Sequence, residues 1–238
     1  SCQWQQLQPF QYPQYLASRA GVLVDLFERE KMPDLAAKKH LIFHIGDHKT
    51  GTTTIQNALA AGKVQITGKT LFYPAAMAHN YLSEQFDNIA KGKPSGPDRP
   101  GMPALPKLAK SIAASDADYI FLSGEQFAGT NQQAFHDIVA RYFLPSIDAF
   151  RLVAYVRPHA ARVLSSFAEQ SKLGKSHESI ETFHLRQLKI RRFVYVPRFS
   201  GWRDLYGTQF ALRPMVRDAL HDGSILHDFM RTAIDDQP

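Results

Sequence analysis

The chain has 238 residues, of which 44% are hydrophobic and 21% charged, which is enough apolar content for one globular domain with a full core. Its formal net charge of +6 and pI of about 9.4 suit anionic ligands such as nucleotides, acidic glycans, nucleic acid or an anionic membrane surface. The single cysteine, Cys2, excludes an intrachain disulfide and a cysteine-built zinc site.

No stretch reaches the roughly 20 apolar residues of a membrane span, and the first residues lack the basic and apolar segments of a signal peptide. A soluble, cytoplasmic protein is the expectation. Residues 1–40 read as a polar lead-in, with one helical spacing of apolar positions between Tyr15 and Glu30 (Leu16, Ala20, Leu23, Val24, Phe27). Leu41 to Gly46 is short, apolar and partly β-branched, and predicts a buried strand that runs into a glycine turn. A helix over Thr53–Ala61 follows. Leu71–Pro74 predicts a second strand. Residues 91–106 hold five prolines and three glycines, a density that predicts a long irregular loop. A helix is expected over Pro106–Ala114, a strand over Tyr119–Glu125 and a helix over Gln132–Phe143. A fourth strand is expected over Phe150–Arg157, then a helix from Ala160 to Leu173 with a stop at Gly174. Strands alternating with helices predict a single α/β domain over 1–238, a three-layer fold with a mostly parallel central sheet flanked by helices. Such sheets bind ligands at the carboxyl ends of their strands, where His48, Lys49, Ser123, Glu125 and Arg157 all fall.

Two segments at those strand ends carry chemistry. The first is Gly46-Asp47-His48-Lys49-Thr50-Gly51-Thr52-Thr53. Two glycines frame a turn between a strand and a helix, which is the frame of a phosphate loop built on backbone N–H groups and a helix N-terminus. A loop of the ATP- or GTP-binding kind carries lysine directly after the second glycine. Here Thr52 holds that place and the lysine, Lys49, lies inside the loop, with no evident position for a Mg²⁺-holding hydroxyl and acid. The second segment runs from Tyr155 to Phe167. Arg157 ends a strand, and Ser165 lies two turns into the following helix. An arginine fork and a hydroxyl can converge on one phosphate monoester.

The first segment, continued through Thr54-Ile55-Gln56, resembles the 5′-phosphosulfate loop of the sulfotransferase family, with its Lys-x-Gly-Thr-Thr pattern, and is especially similar to bacterial members. The second resembles that family's 3′-phosphate motif. Two departures stand out: Arg157 is followed directly by Pro158 where many members have an acid between, and Phe167 stands where many have tyrosine. The resemblance covers roughly residues 40–230. It implies a P-loop-like fold and 3′-phosphoadenosine 5′-phosphosulfate as donor, with 3′-phosphoadenosine 5′-phosphate as product and no metal required. It further implies that Lys49, Thr50, Gly51, Thr52, Thr53 and Thr54 cradle the 5′ side. Lys49 would stabilise charge on the oxygen between phosphorus and sulfur. Arg157 and Ser165 would hold the 3′-phosphate, with Arg162 supporting the loop or contacting phosphate less directly, and Arg213 on the cofactor side.

An acceptor hydroxyl or amine must lose a proton as it attacks sulfur. The candidates for taking it are Glu125, in Ser123-Gly124-Glu125, and His79, after the second strand, with His48 beside the lysine as an assistant. Glu125 has two other uses open to it, as a cap of the next helix or as the partner of a lysine, and His79 could be an ordinary surface histidine. The stretch 185–213 interleaves Arg186, Lys189, Arg191, Arg192, Arg198, Arg203 and Arg213 with Phe193, Tyr195, Phe199, Trp202 and Tyr206. This suits a nucleic-acid surface and equally an adenine-stacking wall beside a pocket for an anionic acceptor. A glycan or other hydroxyl-bearing acceptor, with no nucleic-acid partner, is the expectation. Members of the family normally extend further than Pro238, so a shortened C-terminus is also expected. Two alternatives stay open: a P-loop kinase or NTPase, and a non-catalytic polyanion-binding module.

Overall fold

The structure is a computed structural model that describes residues 39–191 and 193–234. The lead-in helix expected between Tyr15 and Glu30, Cys2 and Arg192 lie outside the described residues. The elements in chain order are β1 (His40–Ile45), α1 (Thr52–Ala60), β2 (Leu71–Phe72), α2 (Tyr81–Ala90), α3 (Leu105–Ala114), β3 (Tyr119–Gly124), α4 (Gln132–Tyr142), β4 (Ala149–Val156), α5 (His159–Lys172), α6 (Ile180–Lys189), α7 (Tyr195–Tyr206), β5 (Phe210–Pro214) and α8 (Ile225–Ile234). Every strand and helix expected between residues 41 and 173 is present, within two residues at each end. The sheet has the order β2-β3-β1-β4-β5 and all its pairings are parallel.

The alternation of side chains along the strands sorts the core into two layers. Leu41, Phe43 and Ile45 of β1, Ile120 and Leu122 of β3, and Leu152 and Ala154 of β4 pack with α2, α3, α4 and α7 on one face. Ile42, Phe121, Val153 and Tyr155 pack with α1 and α8 on the other. This is a three-layer α/β architecture with an all-parallel five-stranded sheet between two layers of helices. At the centre of the first layer, Phe43 is fully buried and meets Phe127 and Phe135 edge to face, with ring centroids 5.0 and 4.9 Å apart. Phe86 of α2 meets it edge to face at 6.3 Å, so its ring neighbours come from three separate segments.

The structure also contains elements that the sequence reading left blank: α2, α6, α7, β5 and α8. The aromatic residues at 195, 199, 202 and 206 correct one expectation. They are buried, with Phe199 and Trp202 fully enclosed, and form the inward face of α7, not a stacking wall. Their spacing of four, three and four is that of a helical core stripe. The proline-rich loop is tied to its neighbours. Gln85 of α2 donates to the Pro103 carbonyl at 3.1 Å and accepts from the Leu105 N–H at 2.7 Å. Asp98 accepts from the Ala104 N–H at 2.7 Å. The last two residues of that stretch, Leu105 and Pro106, already belong to α3, where a proline in the first turn needs no N–H donor.

Phe43→Ala removes a ring enclosed by three elements and should cost about 3–5 kcal/mol. Urea unfolding should show a lower midpoint with an unchanged slope. A midpoint within error of the parent would mean that this cluster does not hold the sheet to its helices.

Candidate functional site

Parallel pairing puts the carboxyl ends of three strands side by side. Ser123 and Gly124 of β3 lie opposite His44 and Ile45 of β1, and Val153 of β4 flanks His44 on the other edge. The chain leaves β1 toward one edge of the sheet, and the β3–β4 connection carries it across β1 to the other. Ligands of open parallel sheets bind where the two directions part.

The loop after β1 takes a shape that its residues specify. A Cβ at Gly46 would lie 2.5 Å from Thr52 Oγ1, so only glycine lets the loop fold back against the start of α1. Lys49 and Gly51 both have positive φ, 67° and 79°. Glycine adopts this conformation freely, whereas for lysine it costs about 1–3 kcal/mol. The turn is held by Thr50 Oγ1, which donates to the Asp47 carbonyl at 2.6 Å, and by the His48 N–H, which donates to Asp47 Oδ1 at 2.9 Å. Arg157 Nη1 donates to the carbonyl of Lys49 at 3.2 Å, across 108 residues of chain. The second segment is thus hydrogen-bonded to the first at its strained residue. Beyond Gly51, α1 begins with no side-chain cap and no acid in its first turn. Its leading N–H groups and the positive end of its dipole are therefore suited to an anion.

Asp47 lies beneath the loop, 3% exposed, with Arg162 Nη2 and Arg198 Nη2 each 3.4 Å from Oδ1. Arg162 is itself buried, and it reaches the loop through this carboxylate. Thr52 is buried, with its hydroxyl 3.4 Å from that of Thr50, while Thr53 and Thr54 are exposed on the first turn of α1. Ser165 is half-buried on α5. Arg213 is engaged elsewhere. It donates from Nη2 to Asp228 Oδ1 at 2.6 Å and from Nε to Oδ2 at 3.1 Å. The same buried carboxylate accepts from the Tyr155 hydroxyl at 2.7 Å and the His221 N–H at 3.1 Å. This pairing raises the Arg213 guanidinium further above its ordinary value and ties α8 to the sheet.

On the β3 side, His48 Nδ1 is 3.2 Å from Glu125 Oε2. The Glu125 N–H donates to Asn80 Oδ1 at 2.7 Å. The hydrogen bond from His48, opposed by desolvation, holds the Glu125 carboxyl below its usual value. Glu125 makes no side-chain cap on the short 3₁₀ turn that follows, and its partner is a histidine, not a lysine. His79 is fully enclosed and no surface histidine. Its Nδ1 accepts from the Ser123 N–H at 3.1 Å, and its own N–H donates to the Ser123 carbonyl at 2.7 Å. His44 lies on the opposite side of the same serine, with Nδ1 2.9 Å from Ser123 Oγ, and Gln56 Nε2 is 3.2 Å from that oxygen. Burial pushes both His44 and His79 down to about 4.

Reading the sequence missed one neighbour of the lysine. Glu169 Oε1 accepts a hydrogen bond from Lys49 Nζ. A signal for it was present, since Glu169 is four residues after Ser165 and therefore on the same face of α5. Asp47 and Asn80 were also missed: Asn80 acts through the Glu125 N–H, and Asp47 through the His48 N–H and the distant guanidinium groups of Arg162 and Arg198, contacts that no local side-chain pattern announces. Among the described residues, no three His, Cys, Asp or Glu side chains cluster as metal ligands, and no helix is long and apolar enough to cross a membrane.

No family model matches the chain, and no curated protein matches it. Among solved structures it is similar to a sulfotransferase from Alicyclobacillus acidocaldarius. The TM-score is 0.48 at 13% identity, over 73% of this chain and 72% of that one. It is also similar to a gluconokinase from Sinorhizobium meliloti 1021, with a TM-score of 0.38 at 13% identity, over 83% of this chain and 90% of that one. At these scores neither likeness carries an argument about what this chain does.

The two buried histidines set a pH dependence. In the unfolded chain both titrate near 6.5, and in the fold near 4. Between these values the unfolded state binds more protons, so stability is retained above about pH 6.5 and lost as pH falls through the window. The urea midpoint should drop from pH 7 to pH 5, and His79→Gln should make that drop shallower. An identical midpoint at both pH values would show that the two rings are not buried neutral.

Proposed function

We propose that this protein transfers a sulfuryl group from 3′-phosphoadenosine 5′-phosphosulfate to a hydroxyl or amine acceptor, with a carbohydrate or glycoconjugate as the acceptor class that its basic charge favours. The observation that carries this reading is the hydrogen bond from Arg157 to the carbonyl of Lys49. It joins the loop suited to a 5′-phosphosulfate to the strand end suited to a 3′-phosphate, so a nucleotide with anions at both ends spans one continuous surface. The residues present fit such a ligand: an uncapped helix start, a lysine inside the loop, a half-buried arginine at the neighbouring strand end and a half-buried serine on the helix that follows it.

The nucleotide supplies a sulfuryl group attached through an oxygen bonded to phosphorus. In the proposed transfer, the acceptor oxygen or nitrogen forms a bond to sulfur as the bond between sulfur and that bridging oxygen breaks. Lys49 and the N–H groups of the loop stabilise the charge that develops on the departing oxygen. Thr50, Thr52, Thr53 and Thr54 line the loop and first turn, and Arg157 and Ser165 orient the nucleotide from its other end. The pair Glu125–His48 takes the acceptor's proton. The contact with His48 lowers the Glu125 carboxyl from its ordinary value. His79, enclosed and bonded to both backbone groups of Ser123, has the position of a residue that holds the end of β3. Arg162 and Asp47 hold the loop from below, and Arg213 acts through Asp228.

Isothermal titration with 3′-phosphoadenosine 5′-phosphate, ADP and ATP, with and without Mg²⁺, tests this reading. The expected result is metal-independent preference for the 3′-phosphorylated nucleotide. Arg157→Ala should weaken that binding at least tenfold, the scale of a charge-assisted hydrogen bond of about 1.5–3 kcal/mol. Mg²⁺-dependent preference for ATP would point to a kinase or NTPase, and absence of nucleotide binding to a polyanion-binding module.

The contact between Glu169 and Lys49 generates a second expectation. A nucleotide anion and this carboxylate compete for one ammonium group, and the pair is partly exposed at 28% and 47%, where such pairs contribute about 0.2–1 kcal/mol. Glu169→Gln should tighten 3′-phosphoadenosine 5′-phosphate binding by a few-fold. Weaker binding by this variant would show instead that Glu169 supports the site.

A further inference from the structure

Exposed aliphatic side chains are unevenly distributed on this protein. Leu164, Leu173, Leu185, Leu188 and Ile190 are 57%, 58%, 63%, 52% and 55% exposed, more than any other large hydrophobic residue described. All five lie on α5, on α6 or just after these helices. The inward face of α6 is already used: Phe183 and Gln187 are buried, and Phe183 packs with Val163, Phe167 and Phe193. Leu185 and Leu188 are three residues apart on a helix and are therefore neighbours on its outward face. Scattered single leucines need no explanation, but a local concentration marks a contact surface.

Unpaired cations outnumber unpaired acids in the same segment. Lys172, Lys175, Lys189 and Arg191 are exposed, and among the described residues none of them is in an ion pair. Of the acids nearby, Glu169 is engaged by Lys49 and Glu178 by Arg186, leaving Glu181 as the remaining exposed carboxylate. Aliphatic side chains interleaved with lysine and arginine on the outward side of a helix match the boundary of an anionic bilayer. The aliphatic chains enter between the headgroups while the cations meet lipid phosphates. A two-fold contact with a second copy would bring the same cations face to face, which like-charge repulsion disfavours.

We propose that the outward side of α5 and α6 is a docking surface for an anionic lipid bilayer. Leu185, Leu188 and Ile190 insert, and Lys172, Lys175, Lys189 and Arg191 provide the electrostatic attraction. Leu164 immediately precedes Ser165 on α5, the residue assigned to the nucleotide in the function proposed above. The docking surface stands independently of that reading, because its test involves no nucleotide and no turnover.

The full chain is sedimented with phosphatidylcholine vesicles, with and without phosphatidylglycerol, at low and high salt, and its mass is measured by light scattering. Binding should be at least about tenfold tighter on the anionic vesicles and should weaken with salt. Leu185→Ser with Leu188→Ser should lower it about tenfold, and Lys172→Glu with Lys189→Glu should abolish the preference for anionic lipid. These surface variants should unfold at the parent's urea midpoint. No binding to anionic vesicles, or leucine variants that bind like the parent, would overturn the proposal. A dimer that dissociates in the leucine variants would also overturn it and assign the surface to a second copy.

Discussion

The arrangement of this protein depends on β1 being hydrogen-bonded along both edges, to β3 on one side and β4 on the other, with all three strands running in the same direction. Parallel pairing aligns carboxyl ends with carboxyl ends. The turn after β1, the Ser123–Glu125 corner and Arg157 consequently meet at one rim, although 108 residues separate Lys49 from Arg157. Burial holds the register. Each strand is apolar on both faces, and a slip by one residue would exchange the two sets of side chains between the α2–α3–α4–α7 layer and the α1–α8 layer.

Above that rim, the loop is a balance of strain and support. Lys49 has a left-handed backbone that its side chain does not favour, and it is held there by groups on both sides of it. Thr50 and His48 bond to Asp47, Arg162 and Arg198 neutralise the buried Asp47 carboxylate, and Arg157 takes the Lys49 carbonyl. The Asp47 carboxylate joins the loop to the buried Arg162 and the partly exposed Arg198, so these contacts act as a unit. Backbone strain retained in this way is typical of sites whose geometry matters for a ligand.

The buried polar groups under the site have a second function, which is to fix the end of β3. Ser123 is bound through its backbone by His79, and its hydroxyl is approached by His44 and Gln56. Glu125, two residues on, is then set by Asn80 through its N–H and by His48 through its carboxylate. Burial disfavours the charged form of both enclosed histidines, which are therefore neutral near pH 7. This arrangement couples the stability of the rim to protonation without placing either ring among the exposed groups.

The sequence by itself determined the central sheet and the position of the loop. Hydrophobic runs of four to eight residues ending in Gly46, in Ser123-Gly124-Glu125 and in Arg157 are local signals, because burial on both faces demands an unbroken apolar strand. The glycine spacing around Lys49 is local as well. The carboxyl-end helices were less legible: α7 carries its aromatic residues at helical spacing, but arginines between them mask the stripe, and only packing against β4 and β5 reveals it as core. Tertiary structure alone decided the partners of the charged groups. Arg162 is directed to Asp47, Arg213 to Asp228 and Lys49 to Glu169, while His79 is enclosed beneath Ser123. Each of these pairings joins residues 15 to 120 positions apart, and the attraction between two charges depends on their separation and burial in space, neither of which is written in the order of the chain.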